Sequence, residues 1–165
     1  MIAGMSIGAF TLLHVIITLV AIGSGLIVLG GMFGSRVLRV TTALFLFTTA
    51  LTSVTGFIFP IHGFTPALGV GVLACVILAF ALFALYKQRL VGAWRPIYVM
   101  AAIASLYLNV FVLVAQSFEK VPALNALAPT QSELPFATTQ SAVLLIFILI
   151  ALVGVIKFRP AAALP

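Results

Sequence analysis

Five stretches of the chain are apolar over lengths that matter: 8–30, 37–59, 66–86, 96–118 and 139–158. A helix needs about 20 such residues to cross a hydrocarbon core of ~30 Å. Short connections separate the first four: GMFGSR, PIHGFT and KQRLVGAWR. A longer segment, 119–138, precedes the fifth. It carries Pro122, Pro129 and Pro135, with Val121, Leu124 and Leu127 at helical spacing. It reads as an ordered cap or a segment lying on the membrane surface. The pattern predicts an all-α integral membrane bundle of five transmembrane helices in a single domain, residues 1–165.

The few polar residues inside these stretches recur at helical intervals. In the first, Thr11, His14, Thr18 and Gly25 fall on one face. In the second, Thr41, Thr48, Thr52 and Thr55 do so, and Thr42, Thr49, Ser53 and Gly56 repeat the spacing one residue on. In the fourth, the series is Tyr98, Ser105, Asn109 and Gln116. The third has a small-residue face: Ala67, Gly71, Ala74, Cys75 and Ala79. These faces are expected to turn away from lipid, because an unpaired amide in hydrocarbon costs several kcal/mol. Threonine, serine and glycine there are accounted for by close helix packing. Asn109 and Gln116 fit either interhelical hydrogen bonding or contact with a ligand.

Composition agrees with the pattern. The chain is 64% hydrophobic and 6% charged, against about 25% charged in an ordinary soluble domain, so its solvent is lipid. The net charge of +6 does not point to nucleic acid, because the basic residues sit in the short connections. Arg36, Arg39, Lys87, Arg89, Arg95, Lys157 and Arg159 all fall on one side of five alternating spans. The positive-inside rule makes that side cytoplasmic. The N-terminus is then outside, the C-terminus is cytoplasmic, and Lys120, Glu119 and Glu133 face outward. Trp94 and Tyr98 beside Arg95 suit an interfacial anchor. The first stretch follows residues without Lys or Arg and is longer than a signal-peptide core, so it is expected to be retained as a span. Cys75 is the single cysteine, which excludes an internal disulfide and a thiolate metal cluster.

Candidate chemistry gathers around the stretch from Thr48 to Leu73, whose turn carries His62. With the N-terminus outside, His14, His62, Gln116 and Glu119 lie near the same membrane face. A polar ligand-binding pocket open to the outside is expected from His14, His62, Asn109, Gln116 and Glu119, with Thr52 and Thr55 nearby. An ionisable residue within a span is a functional signal by default. Haem b held by two histidines is a weaker fit, because only His14 sits well inside a helix. A metal site would draw on His14 and His62, with Glu119 as a third ligand, but these come from distant parts of the chain. HExxH, GxSxG and a phosphate-binding glycine loop are absent, and the chain has no Asp. None of the five stretches carries an acidic residue, so proton-coupled transport is disfavoured.

The segments TSVTGFIFPIHGFTPALGVG, GAWRPIYV, LYLNVFVLVAQSF and LAPTQSELPF lie between Thr52 and Phe136. They resemble an uncharacterised family of small multi-pass inner-membrane proteins of alphaproteobacteria. There is also a fainter similarity to predicted haem or quinone membrane proteins. It rests on the histidine of the first stretch and the TGF near the end of the second. Those families carry further histidines in their spans, which this chain lacks. The first resemblance implies a bacterial cytoplasmic (inner) membrane and supplies no activity.

The expected function is therefore non-enzymatic binding of a small molecule or membrane partner near the outer face. The alternatives are a haem- or quinone-associated redox subunit and a structural accessory subunit. The expected partners are the lipid bilayer and a homo-oligomer or larger membrane complex.

Overall fold

A computed structural model describes residues 4–59 and 66–160, and these are all-helical. Helix α1 spans Ile7–Phe33, α2 Arg39–Ile58, α3 Pro66–Leu82, α4 Trp94–Lys120, α5 Pro122–Leu127 and α6 Leu134–Lys157. A π-helical turn, Phe83–Lys87, continues α3. Five helices are long and apolar enough to cross a membrane: α1, α2, α3 with its π turn, α4 and α6. The chain is a multi-pass membrane protein by this measure.

The bundle is built around α4, which packs against α1, α2, α3, α5 and α6. The neighbours α6, α1, α2 and α3 contact one another in that order, forming an arc around it. The arrangement follows from side-chain size. Gly25 of α1 faces α4 and α2 so closely that a Cβ there would lie 2.7 Å from Leu106 Cδ1 and 2.9 Å from Phe45 Cε2. Gly154 of α6 likewise admits Val99 and Ile103, which would lie 3.0 and 3.1 Å from a Cβ added there. Around these contacts lie Val28, Met32, Phe45, Leu46, Leu78, Ile103, Leu106 and Phe158, all buried. The large apolar residues left exposed form outward stripes, such as Leu12, Leu19 and Leu26 on α1 and Leu145, Leu149, Leu152 and Ile156 on α6. They face hydrocarbon, where exposure carries no hydrophobic penalty.

Most of the expected inward faces are inward. Thr18, Thr42, Thr48, Thr49, Ser53, Ser105 and Asn109 are buried. Two expectations need correction. Tyr98 keeps its place on the inward face of α4 and is not an interfacial anchor: it is 1% exposed and packs on Phe158 at 6.0 Å, because the end of α6 closes over it. Trp94 alone keeps the edge position, stacked edge-on to Phe83 at 5.1 Å. Gln116 is exposed rather than inward: its amide turns along α4 to Glu119, while Phe118, two residues on, takes the buried position against Phe136.

The seven basic residues of the short connections and the α6 terminus share one end of the bundle, as the alternation of spans requires. That end is tied together by the Arg159 amide, which donates to Ser35 Oγ at 2.6 Å. Past the π turn, Arg89 and Leu90 both take left-handed backbone conformations, with φ of 51° and 60°. This is a costly choice for non-glycine residues, offset here by burial of the Leu90 side chain.

The other end carries the segment after α4, which is ordered as expected and partly helical. Asn125 of α5 donates from Nδ2 to the carbonyls of Phe118 and Glu119, at 3.2 and 3.4 Å, capping α4. Helix α6 begins at Leu134, earlier than the expected 139. Pro135 sits in its first turn, where the missing N–H is harmless, and Glu133 organises the turn before it. The Glu133 carboxylate accepts from Thr130 N, Thr130 Oγ1 and Ser132 N at 3.1, 2.8 and 3.1 Å. Desolvation raises its pKa, but the bonds from the Thr130 hydroxyl and the backbone amides together outweigh this and hold it below the ordinary glutamate range.

Candidate functional site

Helices α1 and α2 meet along their polar stripes, and the stripes pair residue by residue. His14 Nδ1 lies 2.7 Å from Thr55 Oγ1. One helical turn deeper, Thr18 Oγ1 lies 3.3 Å from Thr52 Oγ1. Asn109 of α4 reaches the second threonine series of α2, donating from Nδ2 to Thr49 Oγ1 at 3.2 Å. Thr49, Thr52 and Thr55 of α2 thus serve as partners for two neighbouring helices. Thr49 belongs to the second threonine series, which the sequence placed on an inward face without counting it among the site residues. The signal was its spacing from Ser53 and Gly56.

Hydroxyl accounting fixes the direction of these bonds. A threonine hydroxyl has one proton. Thr55 Oγ1 is 2.6 Å from the Leu51 carbonyl, the usual acceptor for a hydroxyl inside a helix. Its proton is used there, so its lone pairs must accept from His14. The proton of the imidazole is therefore on Nδ1, and Nε2 carries the free lone pair. By the same reasoning, Thr18 donates to the His14 carbonyl at 2.9 Å, and Thr52 donates to Thr18. No described residue hydrogen-bonds His14 Nε2.

The surroundings of the ring are apolar and partly aromatic. Phe59 stands edge-to-face against it, with centroids 5.4 Å apart and planes at 90°. Phe10 packs on Phe59 at 5.1 Å. The Cε1 edge of the imidazole lies beside Gly56, where even an added Cβ would be only in ordinary contact at 3.8 Å. His14 is half-buried and sits seven residues into α1, ~10 Å from its end by helical rise.

The other expected site residues fall into two groups. Gln116 Nε2 donates to Glu119 Oε2 at 3.0 Å on the exposed rim of α4. Neither residue hydrogen-bonds His14, Thr52 or Thr55 among the described residues. His62 lies outside the described residues. Among the described residues, no group of three or more His, Cys, Asp or Glu side chains is placed to hold a metal ion.

Gln140 of α6 is a further buried amide that sequence reasoning passed over. It donates from Nε2 to the Phe111 carbonyl at 3.1 Å, and its Oε1 has no partner among the described residues. Gln131 makes a parallel bond to the Ala115 carbonyl at 3.0 Å. The two glutamines pin the C-terminal half of α4 to α6 and the turn before it.

No family model, curated protein or solved structure matches this chain.

Proposed function

We propose that this is a non-enzymatic inner-membrane protein of bacteria that binds a small molecule or membrane partner through a polar site in the outer half of the bundle. The observation that carries the reading is His14: an imidazole within a span, fixed by Thr55 through one nitrogen, with the other left unbonded by the described residues. A purely packing role gives no reason to keep a basic lone pair in hydrocarbon. Thr52, Thr55 and Asn109 complete the polar lining, and Gln116 and Glu119 mark the rim at the outer end. The charge bias supports the sidedness: the end with seven basic residues faces the cytoplasm, and the N-terminus lies outside.

Native membranes supply the test. Protein purified from them and its His14→Leu variant are extracted with organic solvent, and the extracts compared by mass spectrometry. The expected result is a small molecule that accompanies the wild-type protein and is lost from the variant. Identical extracts from equally folded samples would remove the basis of the reading. Oxidised and dithionite-reduced absorption spectra of the same samples address the second reading, a haem- or quinone-associated redox subunit, which an imidazole nitrogen able to ligate haem iron or to accept from a reduced quinone favours. A Soret band with reduced α and β bands would make haem the ligand.

A further inference from the structure

The tautomer of His14 restricts what it binds. The geometry points to Nε2 as a fixed hydrogen-bond acceptor for the hydroxyl of a flat aromatic alcohol dissolved in the membrane, a hydroquinone head group being the simplest of that class. This rests on the reading of the His14 cluster as a binding site and names the ligand chemistry for it.

Two independent features converge on that class. The first is polarity. The Thr55 proton is committed to the Leu51 carbonyl, so the Nδ1 proton is committed to Thr55. A neutral imidazole then offers only a lone pair at Nε2. Its complement is a donor, which excludes ethers, ketones and quinone carbonyls as direct partners. The second is shape. The ring stands in an aromatic corner made by Phe59 and Phe10, beside the bare backbone of Gly56. Edge-to-face contact with phenylalanine suits a planar ring better than an alkyl chain. The depth also fits, since a head group of this kind reaches His14 without entering the centre of the bilayer.

The experiment is solid-state nitrogen NMR on histidine-labelled, full-length protein in lipid. Resonances are assigned with His14→Leu, and Asn109 is labelled as a second reporter. Without ligand, His14 is expected to show a protonated Nδ1 and a bare Nε2. The probes are tetramethylhydroquinone under anaerobic reducing conditions and tetramethylbenzoquinone, its oxidised form. The hydroquinone should move the Nε2 resonance to lower frequency, as an accepted hydrogen bond does. The quinone should bind roughly fivefold more weakly, the equivalent of one net hydrogen bond of about 1 kcal/mol, and leave Nε2 in place. Thr55→Ser should keep the tautomer and the response, and Thr55→Val should lose both. An Nε2-protonated ring in the wild-type protein overturns the inference, as does equal response to the two probes. A probe that moves Asn109 but not His14 also overturns it, while leaving the polar site itself standing. Silence of both reporters to both probes overturns the ligand class, and the solvent-extraction comparison then decides the binding reading on its own.

Discussion

A single threonine decides the chemical character of His14. Its helix-internal bond to Leu51 turns Thr55 from a potential donor into an obligate acceptor, and this sets which imidazole nitrogen is free. The coupling between the two side chains should therefore be measurable. A double-mutant cycle of His14→Leu and Thr55→Val, read by unfolding in detergent or lipid, is expected to give an interaction energy of about 0.6–1.7 kcal/mol, the range found for side-chain hydrogen bonds between membrane helices. A value indistinguishable from zero would mean the 2.7 Å contact contributes nothing in the folded protein. The sequence showed that His14 and Thr55 belong to inward faces. It could not show that they meet, because helical period fixes which face a residue occupies and not its height against a neighbouring helix. Gln116 shows the same limit from the other side. It keeps the spacing of Tyr98, Ser105 and Asn109, but at its turn of α4 the buried position belongs to Phe118, packed on Phe136, and spacing alone does not say which of two near faces a neighbour will cover.

At the scale of elements, glycine sets how near the helices come, and capping sets where they stop. Gly25→Ala pushes a methyl into Leu106 and Phe45 at less than 3.0 Å, so α1 must withdraw from both α2 and α4. The expected cost is about 1–3 kcal/mol, the usual range for overpacking, seen as a lower midpoint in thermal unfolding. Gly23 and Gly30 on the same helix have open space, and alanine there should be tolerated. The turn before α6 makes a different prediction. The folded Glu133 carboxyl has a lowered pKa, so its contribution is present above the unfolded pKa and lost as pH falls through the folded one. Protection of the Thr130 and Ser132 amides, taken relative to their intrinsic exchange at each pH, should fall on acidification over that window. Glu133→Gln should show low protection already at neutral pH and lose the acid dependence. Unchanged protection across the window would deny the carboxylate its organising role. The start of α6 was hard to place from sequence because Thr138 and Thr139 look like loop residues. In the structure their hydroxyls bond back to Leu134 and Pro135 carbonyls within the helix.

For the whole molecule, the separation of charge is the feature with the plainest consequence. Single cysteines placed in a Cys75→Ser background should report sidedness directly. An impermeant maleimide is expected to label Ser132→Cys in intact cells. Val91→Cys, exposed between Leu90 and Gly92 at the basic end, should react only after the membrane is opened. The reverse pattern would invert the proposed orientation and place the His14 site in the cytoplasmic half of the bilayer. Number of spans, helical class and separation of charge were all legible in the chain, because each follows from local composition. The central place of α4 was not. It depends on which helices carry complementary small and large residues, as Gly25 with Leu106 and Gly154 with Val99 and Ile103 do.

That central place has a consequence for biosynthesis. The helix that holds the bundle together is the fourth to leave the ribosome. When the first three spans are already in the bilayer, Gly25 has lost half of what it packs against, and Thr49 lacks its amide partner. The first hairpin is already stitched by its own side chains, through His14 with Thr55 and Thr18 with Thr52. The nascent protein should therefore pass through a stage in which this hairpin, with the third helix seated on it where Phe57 meets Gly71, flanks an empty trough shaped for α4. The trough closes when α4 enters, and the last helix then seals one flank of it.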